Sequence, residues 1–297
     1  MNKKEKSLPS TSINWFPGHM AKTRRQITED LKLIDVVIEL LDARIPVASR
    51  NPDIRDLTKN KKKIILLNKC DLSDDNLNKR WVDKLSKEAP TLLTDSNSGK
   101  GVDKVLKKIE EIMEEERIRQ QNRGIKNKTI RVMILGIPNV GKSSFINRIA
   151  KRNTAIVGNK PGVTKQKQWI RLAKNIELLD TPGVLWPKFE DNQIALNLAF
   201  TGTIKDDIID RIEVAYELLK KLYNEYPGVL KERFKVTAED IAYIDKQGNK
   251  IYELMKVIGK KRGALISGGE IDDEKVARIV LEDFRSGKIG KITLEKP

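Results

Sequence analysis

Eight residues, Gly136-Ile-Pro-Asn-Val-Gly141-Lys142-Ser143, satisfy the spacing G-x-x-x-x-G-K-[ST]. They follow an apolar β-branched run at 130–135 and precede Phe145, Ile146 and Ile149, which recur at helical spacing. A glycine-rich turn between strand and helix leaves backbone N–H groups free to close around phosphates, and the helix N-terminus adds positive potential. In such a loop Asn139, Val140, Gly141, Lys142, Ser143 and Ser144 line the phosphates. Lys142 neutralises the β- and γ-phosphates and Ser143 holds Mg²⁺. This one segment demands a sheet with a helix packed behind it, and most simple folds are excluded.

The rest of the chain is consistent with that demand. Runs at 33–42, 61–67 and 176–179 read as further strands, and Val102, Val105, Leu106, Ile109, Ile112 and Met113 as an amphipathic helix. Strands alternating with helices predict an α/β fold, a mostly parallel sheet with helices on both faces. Residues 1–12 are polar and read as flexible, and 119–129 lacks apolar periodicity and reads as a linker. After Trp186-Pro187 the strand signal fades. Residues 194–200, 208–223 and 252–258 read as helical, and Asp272 can cap another helix carrying Val276, Ile279, Val280 and Phe284. Two domains are expected, 1–187 with the sheet and 188–297 as a small all-α domain.

The base-reading and metal-binding residues follow from chemistry. Asn68-Lys69-Cys70-Asp71 comes directly after the second strand. A carboxylate there accepts both the N1–H and the 2-amino protons of guanine; adenine has neither donor, so GTP and GDP are expected rather than ATP. Cys70, the variable residue of that motif and the chain's one cysteine, reads as inert packing. Asp180-Thr-Pro-Gly183 follows the last strand, so Asp180 is placed to hold Mg²⁺ through water and Gly183 to sense the γ-phosphate. Thr164, in Pro161-Gly-Val-Thr, supplies a second Mg²⁺ hydroxyl and completes a GTP-hydrolysing set.

The order of these motifs is unusual. The base-reading tetrapeptide normally follows the P-loop, whereas here Asn68 precedes Gly136 by 68 residues. The sheet still closes if the original ends are joined, through 119–129, and new ends are cut after Gly183. Together with Asn14-Trp-Phe-Pro-Gly-His19-Met20, Asp42-Ala-Arg-Ile-Pro46 and Phe284-Arg-Ser-Gly-Lys288, this order resembles the circularly permuted GTPases of ribosome assembly, over nearly the whole chain. The resemblance implies binding to the precursor of the large ribosomal subunit and its rRNA, hydrolysis of GTP late in assembly, and a helical C-terminal domain. It also implies a fifth nucleotide motif, matched here by Ser96-Asn97 where the family tends toward Ser-Ala. The glutamine that orients water in Ras-type enzymes is replaced by Val184, so turnover is expected to be slow alone, and the resemblance implies that the ribosome stimulates it. The resemblance offers His19, the only histidine, as the substitute catalytic residue. Asn139 resembles the asparagine of potassium-activated GTPases, which implies K⁺ as a further cofactor.

Charge sets the class of partner. Residues 1–187 hold 38 Lys and Arg against 22 Asp and Glu, whereas 188–297 balance at 20 each. The 15 bases of 117–176 have no acid among them, a pattern suited to a polyanion read through its phosphates. No apolar run approaches the ~20 residues that span a bilayer, so no membrane partner is expected, and the chain reads as a cytoplasmic monomer. A nucleotide-sensing RNA-binding protein with little turnover is the alternative reading. An RNA-binding protein with a decayed nucleotide site fits less well, because Lys142, Ser143, Thr164, Asp180 and Asp71 are all intact.

Overall fold

The structure, a computed structural model, describes residues 17–125, 128–152, 169–179 and 191–297. These form two compact units, one of 17–179 together with Thr293–Pro297, the other of 191–292.

The first unit follows the order α1 (Pro17–Leu31), β1 (Val36–Asp42), α2 (Pro52–Leu57), β2 (Lys62–Asn68), α3 (Asp75–Leu85), β3 (Thr91–Leu93), α4 (Asp103–Asn122), β4 (Ile130–Leu135), α5 (Lys142–Arg152), β5 (Trp169–Ala173) and β6 (Ile176–Leu179). The strands form one sheet in the order β3-β2-β1-β4-β6-β5, parallel except for β5 at the edge. β1 runs between β2 and β4, with Asp42 in register with Asn68 and Glu39 with Leu135. All seven β1 residues are buried, as a central parallel strand covered on both faces requires. On one face Val37, Met133, Leu135 and Leu179 pack with Ile27 and Leu31 of α1 and Ile54 of α2. Further along, Leu41, Ile65, Leu67 and Cys70 pack with Trp81 and Leu85 of α3.

Three differences from the sequence expectations have physical causes. The first strand starts at Val36, not Leu33, because Leu33 and Ile34 donate N–H groups back to Asp30 and Leu31 in a turn closing α1. The expected linker begins as helix: α4 runs to Asn122, held by long polar side chains paired one turn apart, Arg119 with Glu115 and Gln120 with Glu116. Apolar periodicity therefore ends before the helix does. The antiparallel β5 was not anticipated. It is a half-buried edge strand whose Trp169 ring lies under Arg131, 5.3 Å from the ring centroid.

The second unit is helical: α6 (Asn192–Phe200), α7 (Arg211–Glu225), α8 (Pro227–Phe234), α9 (Ala238–Ile244), α10 (Lys250–Arg262) and α11 (Asp273–Arg285). Its core joins Val214, Leu218 and Leu222 of α7 to Leu254 and Ile258 of α10 and to Val276, Val280 and Phe284 of α11. Asp272 caps α11 by accepting the Lys275 N–H, as its position suggested. The α7 helix starts at Arg211, not Ile208, because Asp210 accepts the N–H groups of Ile212 and Glu213 and fixes the first turn there. Residues 293–297, expected with this unit, belong to the sheet unit instead.

Candidate functional site

Parallel strands place all their C-terminal ends on one edge of the sheet, so the loops after β2 and β4 meet although 68 residues separate their motifs. The loop after β4 turns through Asn139 and Gly141, at φ +59° and +97°, and delivers Lys142 and Ser143 as the first residues of α5. A cavity of about 610 Å³ opens there. Its walls include Asn68, Lys69, Ser96 and Asn97 on one side and Asn139, Gly141, Lys142, Ser143 and Ser144 on the other.

Asn68, 1 % exposed, latches the two sides together. Its Nδ2 donates to the Val140 carbonyl at 2.9 Å, while its Oδ1 accepts from Ser96 N (3.1 Å), Ser96 Oγ (2.8 Å) and Thr94 Oγ1 (3.3 Å). Four hydrogen bonds therefore hold this amide, three on its oxygen and one through its nitrogen. Lys69, itself at φ +59°, donates to the Asn139 carbonyl at 2.7 Å and pairs with Asp42 Oδ2 at 3.0 Å. The loop carrying Ser96 is held by Asp95, which accepts the N–H groups of Asn97 and Ser98, and by Arg148 of α5, which donates to the Ser96 carbonyl at 3.1 Å. Asp42, Thr94, Asp95 and Arg148 are site residues that motif reading did not assign. Only Asp42 leaves a sequence trace, an acid closing an apolar strand.

Asp42 is buried against Arg44, which forks onto both carboxylate oxygens (Nε to Oδ1 3.0 Å, Nη2 to Oδ2 2.7 Å). Burial opposes its ionisation, but Arg44 and Lys69 outweigh that and hold the carboxyl far below the usual range. Taking away one partner of such a buried pair costs about 3–5 kcal/mol, because a bare charge is left behind.

Asp71 has the opposite character. Its Oδ1 is buried and accepts no hydrogen bond from the protein. Burial raises its pKa above the ordinary 3.8; a backbone N–H opposes this and the Asp95 carboxylate adds to it. An ionised, under-satisfied acceptor weakens the fold at neutral pH, and a ligand with two adjacent N–H donors would relieve it. A guanine held by Asp71 would need the carboxylate form, so acidification is expected to remove affinity, and the raised pKa moves that loss to higher pH. Calorimetric titration of GDP from pH 7 downward is expected to show the weakening at higher pH than an ordinary aspartate gives.

Cys70 lies in the core beneath the motif, 3 % exposed, its thiol pKa pushed up by burial, in keeping with inert packing. His19 lies in α1, its side chain outside what is described, and Thr164, Asp180 and Gly183 fall outside the described residues. Among the described residues no helix is long and apolar enough to cross a membrane.

A strand, a glycine turn with a lysine at a helix start, and a latched base-reading loop define a P-loop GTPase domain, here with its motifs in permuted order. A family model described as "50S ribosome-binding GTPase" matches residues 131–255. The match begins just before the phosphate loop and leaves 68–71 outside it. Ribosome biogenesis GTPase A of Bacillus licheniformis is 48 % identical over 286 residues, covering 96 % of this chain and 98 % of that one. The Thermotoga maritima protein of the same name is 30 % identical, covering 96 % and 95 %. The GDP-bound structure of TM YlqF superposes with a TM-score of 0.64 at 24 % identity, covering 92 % of this chain and 99 % of that chain, which shows the fold. The chain belongs to the ribosome biogenesis GTPase A family. Membership carries GTP hydrolysis, use of GTP, GDP and Mg²⁺, and a role in ribosome assembly.

Proposed function

We propose that the protein binds the maturing large ribosomal subunit through its rRNA in the GTP state and leaves after hydrolysis. The observation that carries this reading is the Asn68 latch. Asn68, itself in the 68–71 motif, joins the phosphate loop, through Val140, to the loop carrying Ser96, so one nucleotide would organise all three. The positive surplus of 1–187 suits a phosphate-rich partner.

Within that reading Asp71 pairs with guanine, Lys142 neutralises the β- and γ-phosphates, and Ser143, Thr164 and Asp180 hold Mg²⁺. Hydroxyl and carboxylate oxygens are the donors that a small hard cation prefers. The ion spreads the charge that builds on the transferred phosphoryl group, and Gly183 reports the γ-phosphate to the segment after it. The backbone N–H groups around Gly141 and the start of α5 face the same charge. Val184 cannot orient water, so His19 is the proposed catalytic group, brought into action by the ribosome. Asn139 is proposed to help hold K⁺ against the phosphates. The protein acts as a monomer in the cytoplasm.

Single-turnover GTP hydrolysis with and without purified large subunits tests the proposal. A rise of at least ~10-fold is expected, modest beside the 10³–10⁵ that a group supplied in trans achieves. KCl is expected to exceed NaCl in the same assay. Equal rates with and without subunits would favour the alternative, a guanine-nucleotide sensor with incidental turnover.

A further inference from the structure

The chain leaves the sheet unit, builds the helical unit to Ile292, and returns five residues, Thr293–Pro297, to the sheet unit. Thr293 and Leu294 are 1 % and 4 % exposed, so this return is packed and not a loose end. Five of its hydrogen bonds reach two segments. On one side Leu294 N donates to the Arg44 carbonyl at 2.8 Å, and the Glu295 carboxylate accepts Val47 N at 2.5 Å and Ala48 N at 3.0 Å. On the other, Thr293 Oγ1 accepts Asp74 N at 3.0 Å, and the Glu295 carbonyl accepts Trp81 Nε1 at 3.2 Å.

Those two segments flank the purine end of the site. Residues 44–48 follow Asp42, and 74–81 follow the base-reading residues 68–71. A continuous chain of contacts runs from the return to the phosphate loop: Leu294 to Arg44, Arg44 to Asp42, Asp42 to Lys69, and Lys69 to the Asn139 carbonyl. Trp81 shares its packing cluster with Cys70, so the second grip also bears on the motif. Neither segment is a regular strand where it is gripped, and Glu295 satisfies two backbone N–H groups of the turn after β1.

We propose that Thr293–Pro297 is a positioning strap for guanine recognition: by fixing the turn at 42–48 and the start of α3 it sets Lys69 and Asp71, and thereby the affinity for the purine. Because the strap continues directly from Ile292, whatever restrains or releases the end of the helical unit alters nucleotide hold. By linkage, bound nucleotide firms the strap to the same extent. The inference rests on the reading of this cavity as a guanine-nucleotide site.

The test compares the full chain with a variant lacking 293–297 and with Glu295→Ala, using GDP and GMP in calorimetry and thermal unfolding without nucleotide. The strap predicts that deletion weakens GMP as well as GDP, each by about tenfold or more for loss of charge-assisted contacts, since the purine contacts that both ligands share are disturbed. Amide exchange at Val47 and Ala48 in the full chain is expected to slow when GDP binds. A merely stabilising tail would lower the melting temperature and leave the affinity of the folded fraction unchanged. Affinities within twofold of the parent, or a loss for GDP but not GMP, would overturn the strap. Should the deletion not fold, Glu295→Ala and Thr293→Val, which keep the chain length, decide the matter by the same criterion. If the full chain itself binds no GDP, the reading of the cavity falls and the strap with it. Normal binding by the parent with unchanged variants removes the strap alone.

Discussion

Replacing Asp71 with asparagine is expected to exchange guanine for xanthine. The carboxylate offers two acceptors to the N1–H and the 2-amino group. Asparagine offers one acceptor and one N–H donor, which clashes with the 2-amino group but matches the 2-oxo group of xanthine. The change leaves a buried donor facing a donor, and sites built on such pairing reject the mismatched ligand by ~10³-fold or more. The Oδ1 of Asp71 has no protein partner to compensate. Titration of D71N with GDP and with xanthosine diphosphate checks this, and the acid-side loss of GDP affinity should vanish from the variant. Undiminished GDP affinity would mean that Asp71 does not read the base.

The second large effect is expected from Gly141→Ala, one methyl group. Gly141 adopts φ +97°, a region where an L side chain is strained by about 1–3 kcal/mol. A Cβ there would also stand 2.4 Å from Asn68 Nδ2, too close to be tolerated. Asn68 cannot swing aside cheaply, because its Oδ1 holds Ser96 N, Ser96 Oγ and Thr94 Oγ1. The latch must open, and the phosphate and base loops lose their common register. Misplacing bound groups by an ångström costs on the order of 10²-fold in a preorganised site, and nucleotide affinity is expected to fall by at least that. Fluorescent GDP binding measures it, with Gly228→Ala as the control. A Cβ at Gly228 meets nothing within 4 Å. If G141A binds as the parent does, the latch is not needed for nucleotide.

What was legible in the chain was what short-range chemistry writes down. A phosphate loop needs its glycines and lysine at fixed offsets, so the turn and helix start at 136–143 could be read directly, and the hydrogen-bond code of the base marked Asn68 through Asp71 as candidates. The parallel sheet followed from apolar runs alternating with helical spacing, and α11 from Asp272 followed by apolar residues. Contacts made across the fold left less trace. Asn68 and Val140 meet only because β2 and β4 flank β1 on its two sides. Asp42 and Arg44 were visible as letters, but nothing local says that the acid must be buried and held ionised. The helix α3 was missed although Leu77, Trp81 and Leu85 lie four apart, since its intervening residues are almost all polar or charged. Residues 293–297 carry neither periodicity nor motif. Their partners are more than 200 positions away, and no window of sequence contains both.

That return has a consequence for how the chain matures during translation. The sheet's central strand and residues 68–71 emerge early, yet the unit containing them receives residues 293–297 only after the helical unit has been synthesised. A nascent chain therefore carries an unfinished nucleotide domain while the helical unit is made, and the codons for 293–297 close it.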